Sequence, residues 1–187
     1  MMQLELNNAT LYDGQTALSM TAATGRLTCF TGGTPLGRRR WLHALMGFEP
    51  LTGGYVCLDG EPLTPQSAPQ FRRLMAYAPV CLEPVGELYP VDPPTVEQVF
   101  HLRRNREQPI SNAILAEEVR RVGGSGDPRF QLIAVASLLG TPIVLVDDPP
   151  VASVSYLRAL ADGGRLVVVA SDEAAVHDAC HLIVPIP

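Results

Sequence analysis

The segment Ile143-Val-Leu-Val146 constrains this chain more than any other. It is apolar without interruption, is entered through Gly140-Thr-Pro142, and ends in Asp147-Asp148-Pro149-Pro150. Breakers on both sides leave it too short for a helix, and without polar alternation it has no face to give to water. Such a segment is a strand buried on both faces, inside a parallel sheet with helices above and below. Leu166 to Ala170 has the same character, and Ser153 to Ala161 between them reads as a short helix. Apolar strands alternating with helices make the second half an α/β layer structure.

The first half starts differently. Gln3 to Leu11 alternates apolar and polar residues and ends at Asp13-Gly14, which predicts a hairpin with a strand near Ala17 to Thr21. Arg26 to Phe30 is a short apolar strand, and a glycine-containing loop, Thr31 to Gly37, leads from it into a helix ending near Gly47. Strand, loop and helix in that order are the frame on which phosphate-binding loops are built. A strand from Tyr55 to Leu58, a turn at Asp59-Gly60, a short helix from Pro69 to Met75 and a strand from Ala76 to Ala78 follow. Pro79 to Pro94 holds five of the 17 prolines and reads as a loop. Beyond it Thr95 caps a helix from Glu97 to about Arg104, and Ser111 caps another, Ala113 to Val122, with its charges on an exposed face. Pro128 opens an apolar helix to Leu139, Asp172 opens a helix after the Leu166 strand, and Leu182 to Ile186 closes the chain as a strand.

Composition excludes several classes of function. At 187 residues the chain can bury one substantial core, and 47% apolar with 18% charged residues argues against disorder. A net charge of −5 argues against nucleic acid, or an anionic membrane, bound through charge. There is no basic start followed by an apolar run, and Gln131 to Val146 is broken by Gly140, Thr141 and Pro142, so neither a secretory signal nor a membrane span is expected. A soluble, cytoplasmic protein is the expectation, at most peripheral to a membrane through a partner. Cys29, Cys57, Cys81 and Cys180 form no CxxC pair; Cys29 and Cys57 read as small apolar residues buried in strands. His177-Asp-Ala-Cys-His181 straddles a helix end and the next strand with no further ligand after it, so it is not read as a metal site.

Five stretches, in order, together resemble the ATPase domains of ATP-binding-cassette (ABC) transporters over nearly the whole chain. Tyr12-Asp-Gly14 is similar to the loop whose aromatic ring stacks on adenine, and Thr31-Gly-Gly-Thr-Pro-Leu-Gly-Arg-Arg-Arg40 stands where that family has GxxGxGK[ST]. Gly53 to Gly60 resembles its turn and strand before Asp-Gly, Ile143 to Pro149 its apolar strand ending in Asp-Glu-Pro, and Val167 to Asp172 the strand that leads to its switch histidine. The resemblance implies a P-loop α/β fold: a mostly parallel sheet flanked by helices, a small N-terminal antiparallel β-subdomain and a shortened helical subdomain. Residues 1–187 would then be one domain, with the core in roughly 1–80 and 140–187 and the reduced helical part in roughly 81–139. It also implies ATP as ligand, and another ABC ATPase domain or a membrane transport subunit as partner, with no nucleic acid and no insertion into the bilayer.

The departures from the family pattern bear on activity. Gly32 and Gly37 hold the outer glycine positions of the loop, with Gly33 and Thr34 between, but Pro35 replaces the middle glycine and deletes an N–H. Arg38 replaces the phosphate-binding lysine, keeping its charge in a larger, forked group. Arg39 falls where a serine or threonine hydroxyl would hold Mg²⁺, and a cation repels that ion instead of ligating it. Asp147 keeps the metal-site carboxylate, whereas Asp148 stands in for the catalytic glutamate, one methylene short. Val80, Val154 and Ser171 replace the γ-phosphate-sensing glutamine, the following aspartate and the switch histidine, and Gly124-Ser125-Gly126-Asp127-Pro128 replaces LSGGQ with a negative charge at Asp127.

Blander readings stand beside these. Gly32 and Gly37 also read as turn glycines and Asp147-Asp148 as a turn pair, readings the strand–loop–helix frame and the apolar strand disfavour, while Tyr12 serves equally as a half-buried strand-end aromatic and Gly124 to Pro128 as a linker and helix start. The arginine triplet adds a constraint of its own. Cations in the first turn of a helix oppose its dipole by about 0.3–1 kcal/mol each, so Arg38, Arg39 and Arg40 call for anions. Asp147 is one candidate, paired with Arg39 where Mg²⁺ would sit; a phosphate, sulfate or metal-free nucleotide on Arg38 is a second; arginines splayed into solvent are the third. The expected function is an ABC ATP-binding-protein-like subunit impaired in hydrolysis and acting through partners, with ATP as an open question and Mg²⁺ disfavoured. The alternatives are an active ATPase using Asp148 as base, and a metal-free nucleotide or anion sensor.

Overall fold

The computed structural model describes residues 1–81, 111–124 and 126–187. Among these residues the strands sort into two sheets. β1 (Gln3–Thr10), β2 (Leu18–Ala23), β4 (Gly53–Leu58) and β5 (Glu61–Pro62) form an antiparallel sheet in the order β2-β1-β4-β5. β3 (Leu27–Thr31), β6 (Met75–Ala78), β7 (Ile143–Asp147), β8 (Leu166–Ala170) and β9 (Leu182–Pro185) form a parallel sheet in the order β6-β7-β8-β3-β9. The helices are α1 (Pro35–Leu45), α2 (Ala68–Arg73), α3 (Asn112–Val122), α4 (Pro128–Leu138), α5 (Val154–Asp162) and α6 (Ala174–Ala179). The helix expected from Glu97 to Arg104 lies outside the described residues.

The apolar strands behave as their composition requires. Every residue of β7 and β8 is buried, and the period of two divides each between two cores. Ile143, Leu145, Leu166, Val168 and Phe30 pack towards α1 and the antiparallel sheet, around the fully buried Trp41. Val144, Val146, Val167, Val169 and Cys29 point the other way, against α4 and α5. The parallel sheet is therefore covered on both faces.

Cap chemistry sets the helix starts. Ser111 Oγ accepts from the Ile114 N–H at 3.3 Å before α3, and Asp127 accepts from the Arg129 N–H at 2.9 Å before α4, with Pro128 as the first helical residue. Two expectations fail here. Glu118 of α3 is buried instead of lying on an exposed face, because it meets the Tyr156 hydroxyl, which also bonds Ser137 Oγ at 2.6 Å. Asp172 does not open α6, which begins two residues later; its carboxylate is engaged elsewhere.

The central strands of the parallel sheet end together. Phe30 of β3 pairs with Ala170 of β8, which pairs with Asp147 of β7. The ladder runs on through the Ser171 N–H to the Phe30 carbonyl at 3.0 Å and the Asp148 N–H to the Ala170 carbonyl at 2.9 Å. This brings Thr31-Gly32, Asp147-Asp148 and Ser171-Asp172 to one edge, where ligands bind in open α/β sheets.

Candidate functional site

The loop from β3 to α1 begins with two glycines in the left-handed region, Gly32 at φ 79° and Gly33 at φ 60°. A Cβ on Gly33 would lie 3.0 Å from Ile186 Cδ1, so a side chain there is strained by the backbone and must displace the Ile186 tip. Thr34 follows as the helix cap: its hydroxyl accepts from the Gly37 N–H at 3.0 Å and its carbonyl from the Arg38 N–H at 2.9 Å. Pro35 is the first helical residue, a place that suits its missing N–H and fixed φ. The loop thus closes into the helix on its own donors, and Gly37 gives its N–H to a side chain of the same loop. Thr34→Ala removes that cap and is expected to cost about 1 kcal/mol in urea unfolding.

Each residue of the arginine triplet meets a carboxylate, and each carboxylate comes from a different segment. The Arg38 side chain, only 6% exposed, donates to the Gly32 carbonyl at 2.9 Å and to Asp172. Arg39 Nε donates to Asp147 Oδ2 at 2.6 Å, the pairing expected from the sequence. Arg40 pairs with Glu49 and lays its guanidinium over the Tyr12 ring, 4.3 Å from the centroid. Arg40 is therefore not splayed into solvent, and one face of Tyr12, the aromatic matched to adenine stacking, is covered by a cation.

The electrostatics of the three carboxylates at the strand ends differ. Asp147 is buried, and burial pushes its carboxyl above the ordinary carboxylate range, by more than the bond to Arg39 pulls it down. Asp172 lies below that range, chiefly because its Oδ1 accepts the Gly32 N–H at 2.7 Å; the Thr31 hydroxyl at 2.9 Å and Arg38 act in the same direction. Asp148, at φ 47°, has its carbonyl and carboxylate held by Arg129 Nη1 at 2.9 and 3.1 Å. The same guanidinium clasps Asp127, with Nη2 to Oδ2 at 2.8 Å, and that bond draws the Asp127 carboxyl down. The negative charge expected at Asp127 is thus paired within the chain, with one guanidinium shared between Asp127 and Asp148.

The structure brings Gly32, Gly33, Thr34, Gly37, Arg38, Arg39 and Asp147 into one cluster, with Arg40 further along α1 and Tyr12 beneath its guanidinium. Asp148 belongs to a separate group with Arg129 and Asp127. Gly126, at φ 118°, lies at the entrance to α4, and Ser125 lies outside the described residues. Val80 is half-buried just beyond β6, Val154 opens α5, and Ser171 is buried with its hydroxyl accepting the Glu173 N–H at 3.1 Å. Sequence reasoning missed Asp172, Glu49 and Arg129 as members of these groups. Charge counting held part of the signal, since three adjacent cations need three anions and only Asp147 had been assigned. No group of three or more metal-ligating side chains occurs among the described residues.

The sequence matches no protein-family profile and no curated protein. Solved structures match throughout the chain. An ATP-binding subunit of an ABC transporter superposes with a TM-score of 0.72 at 16% identity, covering 98% of this chain and 85% of that one. An ABC transporter ATP-binding protein from Pyrococcus furiosus gives 0.73 at 15% identity, with 98% and 97% covered. CbiO1 from Clostridium perfringens, part of an ABC transporter complex, gives 0.67 at 11% identity, with 98% and 86% covered. The chain has the ABC ATPase fold. The Arg38–Asp172 and Arg39–Asp147 pairs fall where β3, β7 and β8 of the parallel sheet end together. No helix among the described residues is long and apolar enough to cross a membrane.

Proposed function

We propose that this protein is an ABC ATP-binding-subunit-like chain that does not hydrolyse ATP and acts through protein contacts. The observation that carries the reading is the Arg39–Asp147 pair at 2.6 Å. It sets a guanidinium on the one metal-site carboxylate retained from the family pattern. Mg²⁺–triphosphate does not fit the residues present. Pro35 has no N–H to offer, the Gly37 and Gly32 N–H groups already donate to Thr34 and Asp172, and Arg39 supplies positive charge where a hydroxyl ligand belongs. Asp148, the stand-in for the base, is engaged by Arg129. A catalytic constellation acts as a unit, so these losses compound.

The partners we infer are another ABC ATPase domain or a membrane transport subunit, met in the cytoplasm or at the inner face of a membrane. An active ATPase and a metal-free anion sensor both need a loop open to phosphate, and the contacts of Asp172 favour neither. The test is phosphate release from ATP·Mg²⁺ by the purified chain, with Asp148→Asn as control, alongside thermal shifts with ATP·Mg²⁺, ATP alone and neither. The expected result is no release dependent on Asp148. ATP·Mg²⁺ should also give none of the roughly 2.7 kcal/mol of stabilisation that a ligand at 100 times its Kd supplies. Turnover lost in Asp148→Asn would overturn the proposal.

A further inference from the structure

Three donors converge on the Asp172 carboxylate. The Gly32 N–H and the Thr31 hydroxyl reach Oδ1 at 2.7 and 2.9 Å, and the Arg38 guanidinium reaches Oδ2. Each donor comes from the end of β3 or the first turns of α1, more than 130 residues from Asp172 in sequence. Arg38 is buried along its length, yet the Asp172 side chain is 49% exposed. The guanidinium is thus built into the protein, while its anion approaches from the solvent side, on the short segment between β8 and α6. A backbone N–H, a hydroxyl and a buried guanidinium directed at one oxyanion form a charge-assisted site that any oxyanion of similar size satisfies.

We propose that Asp172 is an autoinhibitory latch, an internal carboxylate occupying an oxyanion site made by Thr31, Gly32 and Arg38, and that its withdrawal exposes this site to phosphate. The proposal rests on the reading above that the wild-type loop is closed to nucleotide, and adds that the closure is a removable contact. Glu49 and Asp147 are engaged by Arg40 and Arg39, so the carboxylate on Arg38 is the one whose loss frees the three donors together.

The experiment compares wild type, Asp172→Ala and the double variant Asp172→Ala/Arg38→Met by calorimetry and thermal shift. The probe is inorganic phosphate, with sodium chloride at matched ionic strength as control and metal-free ADP as a second arm. Asp172→Ala is expected to bind phosphate at least about tenfold more tightly than wild type, and the double variant to lose that gain. A larger response to ADP than to phosphate assigns the site to a nucleotide tail, and equal responses assign it to the free anion. Should Asp172→Ala fail to fold in chloride, refolding in phosphate replaces binding as the readout: recovery supports the latch and no recovery overturns it. A folded Asp172→Ala that ignores phosphate, or a wild type that binds it equally well, also overturns it. Hydrolysis by the wild type would instead sink the proposed function, so the two failures are distinguishable.

Discussion

Arg39→Met is expected to destabilise the protein by about 3 kcal/mol at pH 7, measured by urea unfolding. The loss comes from stranding Asp147, whose residue is only 4% exposed, not from the intrinsic worth of the ion pair. Removing one partner of a buried pair typically costs about 3–5 kcal/mol, and the 27% exposure of the Arg39 side chain, which lets water approach, argues for the lower end. Replacing both charges is far cheaper, so Arg39→Met/Asp147→Asn should lie within about 1 kcal/mol of wild type. The pH dependence supplies an independent check. Asp147 already has its carboxyl raised in the folded state, and losing Arg39 raises it further. A carboxyl raised on folding stabilises fully below its unfolded pKa and loses that contribution as pH rises through its folded pKa. The penalty of Arg39→Met should therefore shrink on moving from pH 7 to a more acidic pH, as Asp147 takes up a proton. A small loss that is the same at both values would show that the pair does not bridge a buried charge.

Asp172 and Asp127 carry the opposite sign. Both carboxyls are lowered in the folded state, so their contributions are present above the ordinary carboxylate pKa and are lost as pH falls through their folded values. Acid thus relaxes Asp147 while unfastening Asp172 from Arg38 and Asp127 from Arg129. The exposed Asp172 and the half-buried Asp127 form the acid-labile contacts, and the buried Asp147 forms the base-strained one.

What could be read from the sequence, and what could not, follows the range of the forces involved. Leu166 to Ala170 is a strand with those bounds, and Ser111 and Pro128 start their helices where expected, because runs of apolar residues and caps act over a few positions. The Arg39–Asp147 pair was legible for a different reason: the fold frame puts the end of an apolar strand beside the helix after the glycine loop, whatever lies between them in sequence. Asp172 was not legible as the partner of Arg38. Locally it looks like the start of a helix, and only contacts 140 residues away take its carboxylate from that task. Glu118 is the same case in α3: its spacing marks an outward face, yet the Tyr156 hydroxyl and Ser137 make a buried polar contact that satisfies it. The site diverges from its resemblance at such long-range pairings, since substituting one residue of a phosphate-binding loop changes which distant groups can be paired with it.

Gly54→Ala is expected to be more damaging than any substitution among the arginines, at about 3–5 kcal/mol, enough to threaten the folded state. Gly54 stands opposite a bulge in β1: Asn7 pairs with Tyr55 and Thr10 with Gly53, leaving Asn8 and Ala9 across from a single residue. Asn8 itself has a left-handed φ of 47°, which drives its carbonyl towards β4. A Cβ on Gly54 would lie 2.2 Å from the Asn8 oxygen and 2.3 Å from that of Asn7, both backbone atoms that no rotamer change can move. The residue also has φ 69°, which costs an alanine roughly 1–2 kcal/mol before any clash. Relief would require pulling β1 from β4, and those strands carry Leu4, Leu6, Val56 and Leu58 into the core that covers α1. Gly14→Ala separates the two contributions, because Gly14 has a similar φ of 78° but nothing within 4 Å of its Cβ position. Urea unfolding of the pair should give about 1 kcal/mol for Gly14→Ala and several times that for Gly54→Ala. Equal losses would mean that the β1 bulge yields easily and that the antiparallel sheet does not brace the helix carrying the arginines.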